Sequence, residues 1–190
     1  MKKLLLTAFL GLGVAFGANI QTLTQQCEAN NAKACWDLGY AYNEGKGVTR
    51  NLTKAFEFAK KSCDLGYAQG CVDTAGLYEW GQGTSKNLSK AFECNKKACD
   101  MGNAGGCANV GLAYDNGKGV AKDLSKAFEF AKKACDMGNA GGCTNVGFAY
   151  SKGEGVKKDI NAAKNYYKKA CGMGEKNACK NYKIVLKRGS

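Results

Sequence analysis

The chain has 190 residues and a formal net charge of +12, and it contains 11 Cys and 26 Gly but no Pro and no His. That length suits one compact domain or a short repeat array. The lack of His excludes a Cys–His catalytic pair and a His-ligated metal centre, while the basic excess favours acidic partners or plain solubility.

The N-terminus reads as a signal peptide over residues 1–17. Lys2 and Lys3 form its charged start, LLLTAFLGLGVAF its apolar run, and Ala15 and Gly17 the small residues before a cleavage site ahead of Ala18. The apolar run is too short for a comfortable transmembrane helix, so no integral membrane segment is expected after cleavage. Export from a bacterial cell, to the periplasm or the medium, places residues 18–190 where cysteines pair.

Blocks of 36 residues then align almost without gaps, starting at Cys27, Cys63, Cys99 and Cys135, with a truncated block from Cys171. Each block predicts two helices. The first runs from about Ala34 to Asn43 in the first block, with Cys35, Leu38, Gly39 and Tyr42 on one face at helical spacing. Tyr42, Tyr78, Tyr114 and Tyr150 recur there, as do the small residues Gly39, Ala75, Gly111 and Gly147, which are packing positions. A G-x-G, as at Gly45-Lys46-Gly47, ends the helix. Asn51, Asn87, Asp123 and Asp159 then cap the second helix. That helix covers about Leu52–Leu65, carries an apolar stripe of Ala55, Phe58, Ala59 and Ser62, and stops at Gly66. A lone helix pair cannot bury both faces, so the pairs must stack into an all-α solenoid. The expected repeats lie near 32–66, 67–102, 103–138 and 139–174, with a C-terminal cap over 175–190.

The cysteines fall in pairs eight positions apart: Cys27–Cys35, Cys63–Cys71, Cys99–Cys107, Cys135–Cys143 and Cys171–Cys179. On one continuous helix such a pair would lie about 12 Å apart, whereas a disulfide needs roughly 4.4–6.8 Å between Cα atoms. A glycine-containing turn between the two cysteines reverses the chain and closes that gap, which predicts five disulfides, each tying one repeat to the next. Zinc sites favour tighter Cys spacing, often with His, and redox pairs favour C-x-x-C. Cys94 is left over as a free thiol at the position of Phe58, Phe130 and Tyr166, on the buried stripe. The reading calls for no metal and no cofactor.

The string A-x-x-L-G-x-x-Y-x-x-G-x-G-V, followed by N or D and K-A-x-x-x-x-K-K-A, resembles the Sel1-like repeat, a relative of the tetratricopeptide repeat. With a cysteine pair in every 36-residue unit, the chain is similar over residues 27–179 to the cysteine-rich Sel1-like repeat proteins of Helicobacter and its relatives. The resemblance implies a right-handed α/α solenoid stapled by disulfides, export, and an activity as a β-lactamase or penicillin-binding protein hydrolysing penicillin or cephalosporin derivatives. No catalytic residue can be carried over: no serine is followed by lysine three residues on, and S-D-N and K-T-G are absent.

The face of each first helix opposite the core varies between blocks. It offers Trp36, Asp37, Tyr40 and Asn43, then Asp73 and Trp80, then Asn109 and Leu112, then Asn145 and Phe148. Aromatics beside amides and carboxylates suit a peptide, a peptidoglycan fragment or a protein partner, one on a host cell included; a β-lactam is the rival ligand. Lysine pairs recur on the second helices, at Lys60-Lys61, Lys96-Lys97, Lys132-Lys133 and Lys168-Lys169, and read as a solvated face supported by local ion pairs such as Glu57–Lys61. Export and the lack of a nucleic-acid motif argue against DNA or RNA.

Overall fold

The computed structural model describes residues 10–188; residues 1–9 of the predicted signal peptide lie outside the described residues. Among the described residues ten helices follow one another: α1 Leu10–Glu28, α2 Ala32–Glu44, α3 Leu52–Asp64, α4 Ala68–Trp80, α5 Leu88–Asp100, α6 Ala104–Asn116, α7 Leu124–Asp136, α8 Ala140–Lys152, α9 Ile160–Gly172 and α10 Lys176–Arg188. From α2 onward each has thirteen residues. Connectors of seven and three residues alternate between them. Among the described residues there is no strand, and no helix is long and apolar enough to cross a membrane. The chain divides into two units, Met1–Asn87 with α1–α4 and Leu88–Ser190 with α5–α10.

The seven-residue connectors begin and end on identifiable chemistry. Gly45 closes α2 at φ +70°, a left-handed conformation costly for side chains with a Cβ, and its N–H donates to the Ala41 carbonyl. At the far end, the Asn51 side chain accepts the Lys54 N–H at 3.0 Å, Asp123 accepts that of Lys126 at 3.0 Å and Asp159 that of Ala162 at 2.9 Å. These bonds satisfy donors that the first turn of a helix otherwise leaves open. The second glycine of G-x-G does something the spacing alone does not announce. A Cβ on Gly83 would collide with the Leu52 carbonyl, one on Gly119 with that of Leu88, and one on Gly155 with that of Leu124. The loop of one repeat thus lies directly on the first turn of the preceding second helix.

The three-residue connectors reverse the chain tightly. After α5, the Met101 N–H donates to the Lys97 carbonyl and the Asn103 N–H to that of Ala98, with Gly102 at φ +85°. Asn103 then caps α6 by accepting the Gly106 N–H at 2.8 Å. A Cβ on Gly106 would lie 2.8 Å from the Ala98 Cβ and 2.9 Å from the Cys99 nitrogen, so the helices cross there almost backbone to backbone. This approach brings Cys99 and Cys107 to a Cα separation of 4.5 Å, and they form a disulfide. The other bridges are Cys27–Cys35, Cys63–Cys71, Cys135–Cys143 and Cys171–Cys179, at Cα separations of 4.4–4.7 Å. Cys94, outside the bridges, is a half-buried thiol.

Each unit has its own core. In the first unit Cys27, Ala34, Cys35 and Leu38 are buried under Ile20, Leu23, Tyr42 and Phe58, and Tyr42 stacks on Phe58 at 5.6 Å. In the second, Tyr114 meets Phe92 edge-on at 5.3 Å and stacks on Phe130 at 5.8 Å. Tyr150 repeats this with Phe128 and Tyr166. Each of these two tyrosines clamps successive second helices, a favourable aromatic geometry. The lysine-rich faces are laced by exposed pairs Lys60–Asp64, Lys96–Asp100 and Lys132–Asp136, which run from lysine to acid, the reverse of the expected Glu57–Lys61. Such pairs contribute only about 0.3–0.5 kcal/mol each.

Two measurements check this architecture. Non-reducing peptide mapping should return the five eight-residue pairs, and the double variant Cys99→Ser/Cys107→Ser should lose about 2.5 kcal/mol of stability; a bridge joining two different pairs would refute the stapled-repeat arrangement. The backbone N–H of Lys126 holds the Asp123 carboxyl below its ordinary value of 3.8. Its stabilisation is therefore present above that value and lost as pH falls through the lowered one. Asp123→Asn, which keeps the cap, should flatten the fall in melting temperature on acidification below about pH 4.

Candidate binding groove

In the first unit, α2 and α4 lie side by side over α3 and leave a groove of about 270 Å³. Its base is made of small residues, Gly39 of α2, Ala55 and Ala59 of α3 and Gly76 of α4. Its walls are Trp36, Tyr40 and Trp80, which include both tryptophans of the chain. The Trp36 ring stacks on Tyr40 at 6.2 Å and tilts against Tyr67 at 5.7 Å. Trp80, at the end of α4, is 74% exposed, the most open large apolar side chain among the described residues.

Asp73 supplies the charge. Its Oδ2 accepts the Trp36 indole N–H at 2.6 Å, and its Oδ1 accepts from Gln69 Nε2 at 2.9 Å. These bonds fix the carboxylate against the tryptophan across two helices. Asn43 and Gln82 add amides to the lining.

The other candidate residues are dispersed. Asp37 holds the same block position as Asp73 but does not line this groove. It pairs with Lys33 at 2.8 Å and lines an open depression of about 340 Å³ toward α1 with Ile20 and Leu23. The bond to Asp37 raises the Lys33 pKa above its ordinary value, as the Tyr40 hydroxyl does for Lys46. In the second unit, Asn109 donates to Asn95 Oδ1 at 3.1 Å, an internal bond between α6 and α5. Leu112, Asn145 and Phe148 line a depression in the register of the first unit's groove, but it holds only about 50 Å³.

Position 76 accounts for that difference. The block equivalents of Gly76 are Tyr40, Leu112 and Phe148, and Phe148 fills the second unit's depression. A Cβ on Gly76 would meet nothing within 4 Å, so the missing side chain is open space. The repeat comparison could have found this: one glycine at a position otherwise held by large apolar residues, beside the only two tryptophans. Among the described residues, no group of three or more His, Cys, Asp or Glu is placed to hold a metal ion.

Stacked thirteen-residue helix pairs with a groove between first helices define a helical repeat protein. The family model of the Sel1 repeat matches residues 32–67, 68–103, 104–139 and 140–175, and the chain belongs to the Sel1 repeat family. Among solved structures, it is similar to c5321, a protective antigen of uropathogenic Escherichia coli strains (29% identity, TM-score 0.86); the match covers 90% of this chain but only 36% of that one. A Sel1 repeat protein of Oxalobacter formigenes is 27% identical with a TM-score of 0.83, covering 86% of this chain and 68% of its own. Cysteine-rich protein B of Helicobacter pylori is 34% identical with a TM-score of 0.56, covering 70% of this chain and 95% of its own. No curated protein matches the chain.

The indole–carboxylate bond gives the groove a measurable signature. Trp36→Phe keeps a ring but removes the donor to Asp73, and should cost roughly 1.5 kcal/mol, the scale of hydrogen bonds to charged groups. A melting curve superimposable on that of the native protein would show that Asp73 is positioned by other means.

Proposed function

We propose that the protein is an exported, disulfide-stapled scaffold that holds a peptide, a cell-wall fragment or a protein partner in the groove between α2 and α4. The observation that carries this reading is the coincidence, at one repeat junction, of Gly76 with both tryptophans of the chain. A largely exposed indole beside open volume is costly in water and is the kind of side chain that anchors interfaces. Solenoids of this type present such surfaces between repeats. Export is supported by the charged start and apolar run before Ala18 and by five disulfides, which persist in oxidising compartments.

A selection of peptides and peptidoglycan fragments on the oxidised protein, counter-screened with Trp80→Ala, tests this directly. Trp80 is so exposed that its removal should leave stability within about 0.5 kcal/mol of native. Affinity should fall about tenfold or more, as for an interface anchor. Ligands held equally well by the variant would move the site away from the groove. Multiple turnover of penicillin by protein made in a host lacking β-lactamases would replace the scaffold reading with a hydrolase.

A further inference from the structure

The chemistry of the groove selects among its ligands. Its volume of about 270 Å³ is at the lower end of the roughly 300–1,000 Å³ of small-molecule sites and accommodates a single long side chain. The small residues beneath and the rings beside suit an apolar stem. Asp73 is the only side chain lining it that is charged at neutral pH. Its carboxylate, pinned by Trp36 and Gln69, uses two of about four lone-pair directions, which leaves acceptor capacity for an incoming donor. The rings of the walls already hold ammonium groups within this chain: Lys46 Nζ lies 4.6 Å from the Tyr40 centroid and Lys33 Nζ 5.7 Å from that of Trp36.

The net charge of the protein does not oppose a cation here. Residues 18–87 hold seven Lys or Arg and seven Asp or Glu, so the first unit without the signal segment is neutral. The excess of ten positive charges beyond it lies wholly in residues 88–190. In the second unit the equivalent depression has Asn145 for Asp73 and Phe148 for Gly76, so it is filled, and its carboxylates, Asp115 and Glu154, stand at other block positions. A carboxylate at the position of Asp73 and a vacancy at that of Gly76 occur together at the first site.

We infer that the α2–α4 groove is a recognition pocket for a cationic side chain, a lysine or arginine of an extended peptide, with its stem between the rings of Trp36, Tyr40 and Trp80 and its charge on Asp73. This rests on the groove being the binding site.

Because both tryptophans line the pocket, intrinsic fluorescence reports its occupancy. The full oxidised protein is titrated with three capped peptides that differ at one position: lysine, norleucine and glutamate. The lysine peptide should bind about tenfold more tightly than the norleucine peptide, the scale of a hydrogen bond to a charged group, and the glutamate peptide more weakly than either. Asp73→Asn and Gly76→Phe each install a residue that the chain already carries at the equivalent position, so both should fold, Gly76→Phe with a native melting curve and Asp73→Asn with a slightly lowered one because Trp36 then donates to a neutral amide. Asp73→Asn should bring lysine down to the norleucine level, and Gly76→Phe should abolish the response to both. Equal binding of lysine and norleucine to the native protein overturns the cationic specificity and leaves the groove reading standing. Binding that survives Gly76→Phe, or no response to any of the three, overturns the pocket itself.

Discussion

The rest of the structure depends on the chain reversing direction within three residues between one repeat and the next. That reversal is possible because the helices meet at glycine or alanine. Where Gly106 crosses Ala98, the backbones approach so closely that any side chain at 106 would have to displace its neighbours. The disulfide does not impose this geometry so much as record it: cysteines eight positions apart meet only if the helices already cross at that distance. Once closed, the bridge removes from the unfolded ensemble the freedom that a quasi-linear fold, poor in long-range contacts, is least able to recover elsewhere.

The alternate connector solves the opposite problem. Seven residues must leave one helix, cross to the next and restart it without exposing unsatisfied backbone. Gly45 and Asn51 handle the two ends. The second glycine lets the loop settle on the preceding repeat, as Gly83 does on Leu52. Short bridged turns on one side and loop-on-helix contacts on the other give each block two independent attachments to its neighbour, with the tyrosine clamps of Tyr114 and Tyr150 between them.

Much of this is legible in the sequence because the physics is local and repeated. The period, the cysteine pairing distance, the caps at Asn51 and Asp159 and the packing role of Gly39 or Tyr42 follow from spacing and residue type. Three things are harder to read. Asn103 and Asn139 cap the first helices, but they sit inside M-G-N-A-G-G-C, where glycine and cysteine dominate the signal. The second glycine of G-x-G resembles a helix terminator and is in fact a contact point between repeats, which no property of a single block announces. The groove emerges from a difference between blocks: Gly76 is unremarked beside Gly39 and Gly111 until its own equivalents, Leu112 and Phe148, are set against it. The varying face of the first helices also mixes residues of different fate, since Asp73 lines the groove while Asp37 and Asn109 are tied to neighbours elsewhere.

Eleven cysteines could in principle join in a great many ways. Here every partner lies within the same nine-residue segment, so each bridge closes a short local loop, even at Cys99, where Cys94 is nearer along the chain than Cys107. Each block therefore carries its oxidation pattern with it. A thirty-six-residue block can be inserted or lost at the gene level without re-pairing any other cysteine, and a new block can diverge at a position such as 76 while its staples stay intact. The array can lengthen, and its surface specialise junction by junction, without solving its folding problem again.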